Sequence, residues 1–170
     1  MNDAARPPSV WRKWRDLPAA DRRLALGLFA LLPAVAAAIH IFGLQRVRGF
    51  LARHPVIQEA AGTPDPEAAR VVGRLVNAAG YRIPGRPNCL TRSVTLWWIL
   101  RRRGIDSALR LGVRTAAGRL EAHAWVELGG LVLNDAADIA QRFAPFEGTN
   151  IPASGFRPPA SGSRPLDSER

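Results

Sequence analysis

Between Asn88 and Asp135 the hydrophobic pattern changes period once, at Gly104, and that change limits the possible folds more than any other feature of the chain. Leu90 to Leu100 is strongly apolar and reads as a buried helix. Asn88 suits the N-cap, so Cys89 falls in the first helical turn. Arg101-Arg102-Arg103 over the last turn and Gly104 beyond it are helix-stop signals. After Gly104 the pattern alternates. In 107–115, Leu109, Leu111 and Val113 share one parity, as a strand requires. Ala116-Ala117-Gly118 turns the chain into a second strand, Arg119 to Leu128. There Leu120, Ala122, Ala124, Val126 and Leu128 face one side, and His123, Trp125 and Glu127 the other. Gly129-Gly130 leads into a third short strand, Leu131 to Asp135. The expected class is α+β, with a cysteine-bearing helix packed on a small antiparallel sheet.

Cys89 is the single cysteine of the chain. A lone cysteine is more often a small buried hydrophobe than a nucleophile. Its position at a helix start changes the weighing, because free backbone N–H groups and the positive helix end favour thiolate, the reactive form. Arg92, one turn on, adds positive charge to the same region. His123 and Asp135 lie twelve positions apart across the two-glycine turn, the separation that sets the far ends of neighbouring antiparallel strands side by side. An imidazole there can take the thiol proton while a carboxylate holds its other nitrogen. Asp138 is a rival carboxylate, but it falls past the strand in a helix-capping position.

The blocks Asn88-Cys89-Leu90-Thr91-Arg92-Ser93, Leu100-Arg101-Arg102-Arg103-Gly104-Ile105, Leu111-Gly112-Val113-Arg114, Ala122-His123-Ala124-Trp125-Val126-Glu127 and Leu133-Asn134-Asp135 occur in this order. Together they resemble the transglutaminase-like maturation proteases of lasso-peptide gene clusters, over residues 67–146. The resemblance implies a transglutaminase-like or papain-like thiol protease core, with Cys89 as nucleophile, His123 as general base and Asp135 as its orienting partner. It implies removal of the leader from a ribosomally made precursor peptide, freeing the core amine for macrolactam closure by a separate ATP-dependent lasso cyclase. Some members carry an N-terminal leader-recognition domain that contains strands. Residues 1–60 here are apolar and helical in pattern, so the split form is expected, served by a separate leader-recognition protein. No cofactor and no metal are expected. Two other readings share the same residues: a transglutaminase-type acyl transferase, and a non-catalytic scaffold that binds precursor and cyclase.

At 170 residues the chain suits one domain. Its expected organisation is a flexible arm over 1–20, an apolar helical layer over 21–61, a catalytic core over 62–147 and a disordered, Pro/Ser/Gly-rich tail over 148–170. A single cysteine excludes an intramolecular disulfide, and His40, His54 and His123 lack metal-ligand spacing. The formal net charge of +10 raises nucleic-acid binding, but the arginines are scattered and no reader motif occurs, so none is expected.

Leu24 to Leu44 contains no Asp, Glu, Lys or Arg, and about 20 apolar residues suffice to cross a bilayer. The run exceeds a signal-peptide core. Pro33, Ala34 to Ala38 and His40 favour two packed helices broken near Pro33 over a membrane span. The expected location is cytoplasmic, with membrane contact through 24–44 as the competing reading. Asp65 and Pro66 should start a further helix carrying Val72, Leu75, Val76 and Ala79, and Trp97 and Trp98 read as core.

Overall fold

The computed structural model describes residues 18–53 and 65–145; the expected arm up to residue 17 and the expected tail over 148–170 lie outside the described residues. Among the described residues four helices, α1 (Ala19–Phe42), α2 (Leu44–Arg53), α3 (Pro66–Arg82) and α4 (Cys89–Arg102), precede the sheet. Strands β1 (Ala108–Ala116), β2 (Arg119–Leu128) and β3 (Leu131–Val132) follow, then a single turn α5 (Ile139–Arg142) and β4 (Ala144–Pro145). The architecture is α+β, an antiparallel sheet in the order β3-β2-β1-β4 beneath a helical layer.

The helix break expected near Pro33 does not occur, because α1 runs unbroken through that proline. Pro33 lies on the exposed face of α1. The one hydrogen bond it forfeits is to the carbonyl of Phe29, which sits on the same wet side, where water can replace the lost donor. The chain breaks instead at Gly43, whose φ of 79° is readily available only to glycine. The inner face of α1 buries Ala25, Leu28, Leu32 and Val35 against α3 and α4. Val47 and Leu51 anchor α2, whereas Phe50 on the same helix is 62% exposed. Arg101 of α4 donates through Nη2 to the carbonyl of Ala52 at 2.9 Å, tying α2 to the cysteine-bearing helix.

Asp65 caps α3 by accepting the Glu67 N–H at 2.9 Å, with Pro66 in the first turn. The helix continues past Gly80 to Arg82. Gly73 is needed for its packing, since a Cβ there would strike the carbonyl oxygen of Leu133. That close approach fixes the segment leading to Asp135.

Both hairpin turns have two central residues with positive φ, Ala117 at 51° with Gly118 at 72°, and Gly129 at 56° with Gly130 at 83°. Such turns match the right-handed twist of the flanking strands. The β1–β2 register aligns Gly112 with His123 and Arg110 with Trp125. Ala124 and Val126 are buried, and Val126 joins Leu109 in the main core under the helices. Trp125, of opposite parity, is buried with Ile139 and Phe143 in a second small cluster, so both faces of β2 are covered. Leu120, of the same parity as the buried Ala124 and Val126, is 73% exposed near the hairpin tip. The third strand is shorter than the Leu131–Asp135 read from the sequence, ending at Val132. After it the Leu133 N–H still reaches the Val126 carbonyl at 3.0 Å. The Val126 N–H bonds at 2.9 Å to the side-chain Oδ1 of Asn134, a side chain standing in for the missing ladder carbonyl. Strand β4, which pairs Ala144 and Pro145 with Val113 and Gly112 of β1, had no recognisable strand pattern.

Candidate active site

Asn88 accepts the Thr91 N–H on its Oδ1 at 2.9 Å, and this cap makes Cys89 the first residue of α4. The thiol is free and partly exposed. Along the next turn Thr91, Ser93 and Thr95 are buried polar residues within an otherwise apolar helix. Ser93 Oγ donates to the Ala124 carbonyl at 2.9 Å and accepts from Asn134 Nδ2 at 2.9 Å. Both backbone groups of Val126 face β3 and the segment after it. The Ala124 carbonyl, two residues earlier, turns toward the same edge of β2. Ser93 therefore pins α4 along that edge, at the residue following His123. Cys89 lies one helical turn, about 6 Å of rise, from this anchor.

His123 and Asp135 are joined directly. Nε2 of His123 and Oδ2 of Asp135 are 2.7 Å apart. An ionised carboxylate only accepts, so a neutral imidazole paired with it in this way has its proton on Nε2 and a lone pair on Nδ1. The other oxygen of Asp135 accepts the Ala136 N–H at 2.8 Å, which holds the carboxylate in one orientation. The residue before it, Asn134, is fixed three ways: to β2 through Val126, to α4 through Ser93, and to α3 through Asn77, whose Nδ2 donates to the Asn134 carbonyl at 2.8 Å. Asp135 thus projects from a rigid base although it lies beyond the strand. The rival Asp138 heads α5, is exposed, and makes no side-chain capping bond.

The imidazole rests against Phe143, ring centres 5.1 Å apart, with Trp125 at 6.5 Å. Arg114 covers Phe143 at 4.7 Å and pairs with Glu121 at 2.6 Å. Arg114, Glu121, Ala122 and Phe143, with Asp135, Ile139 and Arg142, surround a cavity of about 460 Å³ that opens beside His123. Cys89 is not among the residues lining it, and among the described residues no hydrogen bond joins the thiol to His123. The structure thus couples two of the three residues singled out in the sequence and sets the third on the helix anchored next to them. Arg92, expected to add charge at the thiol, bonds through Nη1 to Asn77 Oδ1 at 3.3 Å and stacks 4.7 Å over Tyr81. Its guanidinium serves the α3–α4 junction. No group of three or more metal-ligating side chains occurs among the described residues.

Sequence reasoning missed Ser93, Asn134 and Asn77. Their signal was present for the first two: a hydroxyl in the middle of an apolar helix, and an amide directly before the candidate carboxylate. Buried polar groups need partners.

The sequence profile of the transglutaminase-like superfamily matches residues 30–147, which takes in every element above except the first half of α1 and includes Cys89, His123 and Asp135. Among curated proteins, the Microcin J25-processing protein McjB of Escherichia coli is 42% identical over 59 residues. That stretch is 35% of this chain and 27% of McjB, so the chain matches about a quarter of the relative's length. No solved structure matches the chain.

Proposed function

This chain belongs to the transglutaminase-like superfamily, and from that premise we propose that it is a cysteine peptidase which removes the leader from a ribosomally made lasso-peptide precursor. The observation that carries the reading is the His123–Asp135 pair at 2.7 Å beside a helix whose first residue is the chain's sole cysteine. The likeness to a processing protein, McjB, supports a precursor peptide as substrate. The catalytic unit is residues 62–147, with 21–61 as a supporting helical layer, and the reaction takes place in the cytoplasm.

In this mechanism Nδ1 of His123 accepts the thiol proton as the sulfur of Cys89 attacks the carbonyl carbon of the last leader residue. Asp135 keeps the Nε2 proton in place and stabilises the imidazolium that forms. The thiol meets His123 when substrate is bound, since catalytic hydrogen bonds tighten in the substrate complex. The tetrahedral oxyanion takes a hydrogen bond from the backbone N–H of Cys89, unoccupied at the helix start. Collapse breaks the C–N bond, the proton passes from His123 to the leaving core amine, and the leader stays on sulfur as a thioester. Water, deprotonated by His123, then releases the leader as a carboxylic acid and restores the thiol. The free core amine is the group a separate ATP-dependent cyclase requires, and a separate recognition protein brings the leader to the site.

Incubating the purified chain with precursor and recognition protein, followed by mass analysis of the products, tests this reading. Two fragments whose masses sum to precursor plus one water support peptide hydrolysis. A leader fragment joined to an added amine, with no free acid, would make the chain an acyl transferase instead. Unchanged precursor under every partner combination would leave neither activity standing.

A further inference from the structure

The outer face of α1 differs from an ordinary wet helix face. Leu26 is 63% exposed, Phe29 43%, Ile41 67% and Phe42 56%, while the opposite side packs Leu28 and Leu32 fully into the core. Leu26, Ala30, Pro33, Ala37 and Ile41 succeed one another at three- and four-residue steps, forming one line along the helix, and all five are exposed. The exposed side of a helix in a water-soluble fold normally carries charge. Here no Asp, Glu, Lys or Arg occurs from Leu24 to Gln45. An apolar patch of that extent marks an interaction surface.

The exposed charges at its ends are arginines; Asp21, in the first turn of α1, is half-buried. Arg23 is exposed at the start of α1, and Arg46 and Arg53 are exposed on α2 just past its end. Between Asp21 and Glu59 the sequence has no acidic residue. In the sequence before α1, Trp11 and Trp14 stand among Arg12, Lys13, Arg15 and Asp16. An apolar stripe bounded by arginine fits a phospholipid surface, with acyl chains against the stripe and anionic headgroups against the guanidinium groups. A second copy of this chain fits less well, because its own arginines would meet arginines with no carboxylate on this face to pair them. A spanning orientation fits less well again. It would put the protein packed on Leu28 and Leu32 into the hydrocarbon.

We propose that the exposed face of α1, with the arginines at its two ends, docks the protein in the interfacial plane of a bilayer containing anionic phospholipid. This surface is separate from the His123–Asp135 site and does not depend on the peptidase reading.

Vesicle sedimentation of the full chain decides it, using phosphatidylcholine alone and phosphatidylcholine with about 30% phosphatidylserine. The expected result is at least about tenfold stronger partitioning to the anionic vesicles, with release in roughly 0.5 M salt and by an alkaline carbonate wash. The double variants Leu26→Gln/Ile41→Gln and Arg46→Glu/Arg53→Glu alter exposed residues, so each should keep the wild-type melting curve while losing about tenfold or more of the partitioning. Equal recovery in the supernatant with both vesicle types would overturn the proposal. So would retention through the carbonate wash, the mark of a spanning helix. A dimer that dissociates in the Leu26→Gln/Ile41→Gln variant, in a chain that ignores vesicles, would assign the face to self-association.

Discussion

Asn134 donates its side-chain amide to Ser93 Oγ at 2.9 Å, linking the residue before Asp135 to the residue one turn after Cys89. Ser93 passes the bond on to the Ala124 carbonyl, next to His123. One buried hydrogen-bonded chain therefore touches the immediate neighbourhood of all three candidate catalytic residues. It fixes α4, β2 and the segment after β3 in a single geometry.

Removing either partner leaves buried polar groups unsatisfied. Ser93→Ala strands the Asn134 amide and the Ala124 carbonyl, and Asn134→Ala strands the Val126 N–H and removes the bond that Ser93 Oγ accepts. Each should lower stability by about 1–3 kcal/mol in urea unfolding. The double variant should cost clearly less than the sum of the two, since the pair shares partners. Strict additivity would show that the two side chains do not act through one another.

Asp135→Asn tests the tautomer argument. An amide can donate to Nε2, which would leave the proton on Nδ1, where a thiol proton has to go. Precursor cleavage should fall by about 10²–10⁴-fold, by analogy with the loss seen when a triad carboxylate becomes an amide. The melting temperature should move little, because the pair is partly open to solvent and exposed polar pairs contribute little to stability. Asp138→Asn, at the head of α5, should leave the rate within about twofold of wild type, as expected of a surface substitution.

Gly73 and Ala117 make opposite stability predictions. In Gly73→Ala the new methyl meets the backbone oxygen of Leu133, which is held in place by its neighbours, so a loss of about 1–3 kcal/mol is expected in thermal or urea unfolding. Ala117 already occupies left-handed backbone, φ 51°, at the first central position of the β1–β2 turn. Ala117→Asn creates the Asn-Gly pair this turn prefers and should gain about 0.5–1 kcal/mol. Destabilisation by the second change would contradict the turn geometry.

Much of this fold was legible in the sequence because local signals agreed. Asn88 and Asp65 capped the helices they were expected to cap, and Gly104 and the paired turn residues marked the boundaries of the sheet. What escaped depends on tertiary context. Pro33 looked like a break, yet a helix face turned to solvent tolerates a missing donor. Leu131 to Asp135 looked like one strand, but the Asn134 side chain replaces the ladder after Val132, a substitution invisible to period-2 patterning. The two-residue β4 is too short to carry a pattern at all. For the candidate site, the residue types and their order were readable. The buried links through Ser93, Asn134 and Asn77 were not, because each joins elements far apart in the chain.

A recognition protein should act by concentration and leave chemistry at the thiol unaltered. Tethering a leader beside the site raises its effective concentration. The precursor concentration at half-maximal rate should fall by roughly 10²-fold when that protein is added, with little change in the maximal rate. A changed maximal rate at saturating precursor would mean the partner reshapes the His123–Asp135 region instead.

The account stands most directly on a thioester at Cys89. Acid quenching during turnover, followed by intact-protein and peptide mass spectrometry, should find the chain heavier by the leader minus one water, with the added mass on the peptide containing Cys89. Cys89→Ala should give neither adduct nor cleavage while unfolding like the wild type. Cleavage that persists in Cys89→Ala, or an acyl group carried by another residue, would contradict the mechanism.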